Sequence, residues 1–161
     1  GMRLVDGEIQ IIPYNNAAMG SKCDMSASST LWKAIKADGS LVEPGTAGTL
    51  KWDWVSGKIQ LTSGAITYKT DSGVGGQYKD MTLASGLTAP EIAKMLLLYP
   101  DEPNGDYAGD YHWFNPVGER LPVCGGGWLN GAGAGVFRLN LHYPRSNAYW
   151  AIGFRSAFVD L

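Results

Sequence analysis

The chain has 161 residues, 45 % of them hydrophobic and 17 % charged, and a formal net charge of −2. That length can bury a core without covalent staples, and that composition excludes a disordered chain. A faintly acidic chain without a basic patch gives no phosphate-seeking field, and the longest apolar run, residues 95–99, is far too short to span a bilayer, so neither a nucleic-acid partner nor membrane insertion is expected.

With 22 glycines, 8 tyrosines and 6 tryptophans, the chain favours a turn-rich architecture containing β-structure. The first residues, Met2-Arg3-Leu4-Val5-Asp6, reach an acid before any apolar core develops, so no secretory signal is expected. Cys23 and Cys124 are too few for a disulfide framework or a Cys-based zinc site. They are able to pair, but two free thiols are the expectation without a signal peptide.

Residues 8–14 (EIQIIPY) read as an edge or terminal strand, because Pro13 removes a ladder donor. Ser28, Ser29 and Thr30 precede Leu31, Trp32, Ala34 and Ile35, which predicts a short capped helix. The Pro/Gly-rich residues 41–48 form the best candidate boundary, separating an N-terminal segment, 1–48, from a domain over 49–161. The segment is expected to pack on the domain or attach it.

Residues 49–55 and 58–62 alternate in polarity around Ser56-Gly57, which predicts a hairpin. Residues 65–70 and 77–83 are further strand candidates. Residues 89–98 predict a helix, with Thr88 and Glu91 as a capping box, Pro90 in the first turn and Ile92, Met95, Leu96 and Tyr99 as its core stripe. Residues 101–110 form an acidic loop, residues 111–114 a short strand and residues 115–120 a turn.

Catalytic motifs are absent. His112 and His142 sit in no nucleophile–base or metal-binding signature and read as surface or contact residues. No cofactor is expected. The acidic loop has oxygen donors without an EF-hand pattern, so a solvated loop is the simpler reading. Glu102-Pro103-Asn104 also occurs in calcium-dependent lectins.

The most informative stretch is the last one. From Gly125 to Arg155 there is no Asp, Glu, Lys, Gln, Met, Thr or Cys, while Asn, Ser, His, Tyr, Trp and Arg abound. These residue types suit contact surfaces rather than acid–base chemistry. Phe137, Leu139 and Leu141 alternate with Arg138, Asn140 and His142, the pattern of a half-buried strand. Ile152 and Phe154 suggest another. The competing reading is an ordinary aromatic-rich β core.

Leu121-Pro122, Gly125-Gly126-x-Trp128-x-Asn130-Gly131-Ala132-x-Ala134-Gly135, Phe137-x-Leu139-Asn140-Leu141, Arg145-Ser146-Asn147 and Ile152-Gly153-Phe154-Arg155-Ser156-Ala157 together resemble the C-terminal variable region of diversity-generating retroelement target proteins. The resemblance implies an α+β, C-type lectin-like fold with a small antiparallel sheet and few helices, and a variable region over 124–155. It also implies a non-enzymatic, phage- or prophage-encoded receptor-recognition protein, placed on a virion tail or displayed at a bacterial surface. Its partner would be a cell-surface protein or glycan, and proteins of this kind are often assembled into multimers.

In that family, adenine-directed mutagenesis diversifies Asn-type codons on a constant scaffold. Gly127, Leu129, Gly133, Arg138, His142, Tyr143, Tyr149, Trp150 and Ala151 are then the diversified contact residues, with Asn130 and Asn140 as unchanged members of the same face. Adenine changes in an Asn codon cannot yield Lys, Glu, Gln or Met, in keeping with their absence; Trp150 requires another template codon. Three other readings compete: a structural virion subunit, a calcium-dependent lectin using Glu102 and Asn104, and a formylglycine-generating-type enzyme, which would need reactive cysteines placed together.

Overall fold

The computed structural model of the chain describes residues 1–13, 24–102, 107 and 109–148. Among them are eleven strands: β1 (Met2–Val5), β2 (Glu8–Ile11), β3 (Lys33–Ile35), β4 (Leu41–Val42), β5 (Lys51–Val55), β6 (Lys58–Thr62), β7 (Val74–Gln77), β8 (Thr82–Leu83), β9 (Tyr111–Phe114), β10 (Glu119–Cys124) and β11 (Leu139–Tyr143). They form one mixed sheet in the order β7-β9-β11-β10-β1-β2-β5-β6-β8, with β3 and β4 branching from β2. The pairs β9·β11 and β6·β8 are parallel, and the other pairs are antiparallel.

The single α-helix among the described residues is α1 (Glu91–Met95). The protein is therefore mostly β, which overturns the expected α+β, C-type lectin-like fold with a small antiparallel sheet. The cause is local. Both stretches that suggested helices are short, and strand pairing from far along the chain claims one of them. Residues 33–35, expected to be helical, hydrogen-bond to β2 on one side and β4 on the other.

In residues 89–98 the cap is formed differently from the expectation. Pro90 occupies the N-cap position in an extended conformation, without a side-chain cap bond. After α1 the chain passes through a left-handed Leu97 (φ 59°). That turn sends Leu98 and Tyr99 into the core, whereas Met95 within α1, expected on the buried stripe, is 81 % exposed.

Two hairpins anchor the sheet. Asp6-Gly7 and Ser56-Gly57 each have positive φ at both positions (47° and 81°; 52° and 77°), the geometry that matches the twist of the flanking strands. The second is the expected hairpin. The first places β2 between β1 and β5, so it is an interior strand rather than an edge; Pro13 lies beyond its end. Residues 65–70 form no strand, and residues 77–83 divide into the end of β7, a 3-10 turn (Tyr78–Asp80) and β8.

Leu4, Ile9, Leu50, Trp52, Leu61, Phe114, Leu139 and Leu141 share one core. Trp52 of β5 meets Phe114 of β9 edge to face at 5.7 Å between ring centroids, which brings together strands far apart in the sheet order. Burial of such side chains, at about 25 cal/mol per Å² of apolar surface, is the principal stabilising term. A second, polar layer covers the other face of β1 and β2. Arg3 donates to Gln10 and Glu119 at 2.8 Å, Gln10 donates to Glu8 at 2.7 Å, and Thr49 Oγ1 donates to Glu8 at 2.6 Å. The Arg3 guanidinium lies 4.2 Å over the Trp32 ring.

Candidate functional site

The site is built on β9, β10 and β11. On β11, Leu139 and Leu141 are buried, whereas Asn140, His142 and Tyr143 are half-buried. Register pairs Asn140 with Val123 of β10 and Trp113 of β9, so these three share a face. Tyr111 and Trp113 are half-buried on that face, while His112 and Phe114 point into the core. His112 is therefore a core residue, contrary to the surface role expected of it. Its ring stacks on Tyr78 at 4.3 Å between centroids, and its Nε2–H donates to the Leu97 carbonyl at 2.9 Å.

Before β11 comes a 3-10 segment, Trp128–Gly133. Asn130 Oδ1 accepts the Gly127 N–H at 2.8 Å and the Asn130 N–H returns to the Gly127 carbonyl at 2.9 Å, which closes the turn. Leu129 and Val136 project from this loop, 71 % and 81 % exposed. Isolated exposed apolar groups are ordinary, and these two lie on the loop that precedes β11.

The glycines here differ in kind. A side chain on Gly126 would overlap Ala134, and one on Gly135 would overlap the buried Asp110 carboxylate, which accepts the Phe137 N–H at 2.8 Å. Gly127 and Gly133 have room, the nearest atoms being Asn130 Oδ1 at 3.5 Å and Tyr111 Cβ at 3.6 Å.

Around His142 several backbone and side-chain groups are tied down. Asn140 Oδ1 accepts the His142 N–H at 2.9 Å, and Arg120 donates to the His142 carbonyl at 3.2 Å and to Asp71 at 2.9 Å. Burial, reinforced by the Arg120 charge and opposed by Asp71, lowers the pKa of the His142 imidazole. Beyond β11, Arg145 makes a two-pronged contact with Glu119, both bonds at 2.8 Å. The Arg145 bonds lead the causes that hold the Glu119 carboxyl below its usual range, against its burial, with Arg3 adding to them.

The structure thus brings Asn140, His142 and Tyr143 together on β11 and joins them to the loop bearing Gly127, Leu129, Asn130 and Gly133; Arg138 links that loop to the strand through backbone bonds to Gly135 and Gly125. Tyr149, Trp150, Ala151, Ile152 and Phe154 lie outside the described residues. Sequence reasoning missed Tyr111 and Trp113 as members of this face, although their alternation with His112 and Phe114 was the available signal.

Cys124 is exposed at the residue level, but partial desolvation of its thiol pushes the pKa up, which disfavours the thiolate; Cys23 lies outside the described residues. So do residues 103–106 and 108 of the acidic loop. Among the described residues there is no cluster of three His, Cys, Asp or Glu side chains able to hold a metal ion, and no helix long and apolar enough to cross a membrane.

In sum, a mostly-β chain presents a loop-bordered, aromatic sheet face. No protein-family model matches the chain, and no curated protein matches it.

Proposed function

We propose that this protein is a ligand-recognition protein whose C-terminal face is diversified, a variable protein of the diversity-generating retroelement kind that residues 121–157 resemble. On this reading a phage or prophage encodes it, and a virion tail or bacterial surface carries it. Its partner is a cell-surface protein or glycan, and its role is binding rather than catalysis. The observation that carries the reading is the separation of two sets in one stretch. Leu139 and Leu141 are buried, while Asn140, His142 and Tyr143 retain solvent access, Leu129 is largely exposed, and Gly127 and Gly133 have space for a side chain. Substitution at outward positions of that kind usually changes stability by only about 0.5 kcal/mol, so such a face tolerates change.

The test is nucleotide comparison of the coding locus across isolates, with a search for a nearby template repeat. Differences should concentrate at the codons of Gly127, Leu129, Gly133, Arg138, His142, Tyr143, Tyr149, Trp150 and Ala151, opposite template adenines. Differences spread evenly along the chain, with no template repeat, would sink the proposal.

A further inference from the structure

Tyr111 and Trp113 are not arranged as ordinary outward side chains. Their rings, 5.5 Å apart between centroids and tilted by 34°, fold sideways over the backbone of β7. A Cβ built on Gly75 would lie 2.6 Å from Trp113 Cε3 and 2.7 Å from Tyr111 Cε1, so only glycine admits them. The Tyr111 hydroxyl donates to the Gly75 carbonyl at 2.6 Å and pins its ring in this position. The glycine at 73 has a related role: any side chain there would overlap both Trp113 Nε1 and His142 Nδ1. His142 Nδ1 is buried against Gly73 and, among the described residues, has no hydrogen-bond partner.

Rings laid down and pinned before binding offer a flat surface at little further entropic cost. They cannot act as protruding anchors that fill a partner's pocket, the usual part of aromatics in protein interfaces. They can offer only their faces, whose negative quadrupole attracts polarised C–H groups. Gln77 and Asn140, opposite Tyr111 and Trp113 in the strand register, contribute neutral amides beside the rings. Arg120 and Asp71, beside His142, are paired with each other at 2.9 Å. Arg138 Nη1 lies against Gly126, in the bordering loop. Next to the rings themselves, the described residues are aromatic and amide-rich, which suits a ligand with one apolar C–H face and a rim of hydroxyls.

We infer that Tyr111 and Trp113 form a stacking platform for the pyranose ring of a neutral oligosaccharide, with Gln77 and Asn140 as hydrogen-bonding neighbours. The inference rests on the ligand-recognition reading and narrows its ligand to a glycan. It also divides the labour: the platform, outside residues 124–155, recognises a sugar ring, and the adjoining loop, where a side chain at Gly133 would lie 3.6 Å from Tyr111 Cβ, selects among sugars.

The experiment is binding of the full chain to a printed array of neutral oligosaccharides, followed by titration of the best one. Binding is expected, with Trp113→Ala and Asn140→Ala each weakening it about tenfold or more and Trp113→Phe retaining most of it. Circular dichroism and thermal midpoints verify that each variant is folded. Because Trp113→Ala removes a half-buried ring, Asn140→Ala serves as the milder variant. No binding to any neutral oligosaccharide, or binding unchanged in folded Trp113→Ala and Asn140→Ala, overturns the inference. A protein ligand whose binding depends on Leu129 and His142 but not on Trp113 would also overturn it while leaving the ligand-recognition reading intact.

Discussion

His112 shows how burial alters one side chain's chemistry. It has no solvent exposure, and burial, only partly offset by the Leu97 hydrogen bond, pushes its imidazole down to about 4. Because Nε2 donates to a carbonyl, Nδ1 is the bare acceptor, and it has no partner among the described residues. The unfolded chain titrates near the ordinary histidine value of about 6.5. Between that pH and about 4 the unfolded state binds the extra proton, so this contribution to stability is full above 6.5 and is lost as pH falls toward 4. Urea melts from pH 7.5 to 4 should show a loss on the order of 3 kcal/mol from this residue. In His112→Gln the slope in that window should flatten; an unchanged slope would show that another group causes it.

The glycines of the C-terminal loop make a second prediction at the same scale. Gly126→Ala and Gly135→Ala force overlap with Ala134 and Asp110, and should cost about 1–3 kcal/mol. Gly127→Ala and Gly133→Ala should stay within about 0.5 kcal/mol, as measured by chemical unfolding. If all four cost the same, fixed and changeable positions are not distinguished by packing. The sequence could mark this loop as glycine-rich. It could not sort the glycines, because their difference lies in what stands opposite: Asp110 comes from a segment twenty-five residues away from Gly135 in a count read along the chain.

At the scale of elements, Asp53 explains why residues 65–70 are not the expected strand. Its buried carboxylate accepts the Thr67 N–H at 2.9 Å, the Thr67 hydroxyl at 2.8 Å and the Tyr68 N–H at 2.9 Å. Burial alone would raise its pKa; the bonds from Tyr68, Thr67 and Trp54 outweigh this and lower it. A carboxylate thus satisfies backbone donors that would otherwise seek a neighbouring strand. Asp53→Ala should destabilise by about 1–3 kcal/mol and speed amide exchange at Thr67 and Tyr68. Unchanged exchange there would refute the role. The β5–β6 hairpin was legible because its turn and alternation are both local. The reach of Asp53 was not: on alternation alone it is simply the polar residue between Trp52 and Trp54.

At the scale of the whole molecule, β1 and β2 lie between β10 and β5, so the sheet runs through the N-terminal hairpin and across the Pro/Gly-rich residues 41–48. The Asp6-Gly7 turn that makes this possible is a recognisable hairpin signal. Its partners β10 and β5 are not readable from it. The sequence by itself determined the alternation of β5, β6 and β11, the short strand at β9, the turn at Ser56-Gly57, and the inward set Leu139 and Leu141, because each depends on neighbours a few residues apart. Only the tertiary structure decided that residues 33–35 are a strand, that His112 is core, and that Tyr111 and Trp113 lie flat beside β11. Those outcomes depend on hydrogen bonds and packing between segments distant in the chain, and the free energy of such contacts is not encoded in any one of the segments that make them.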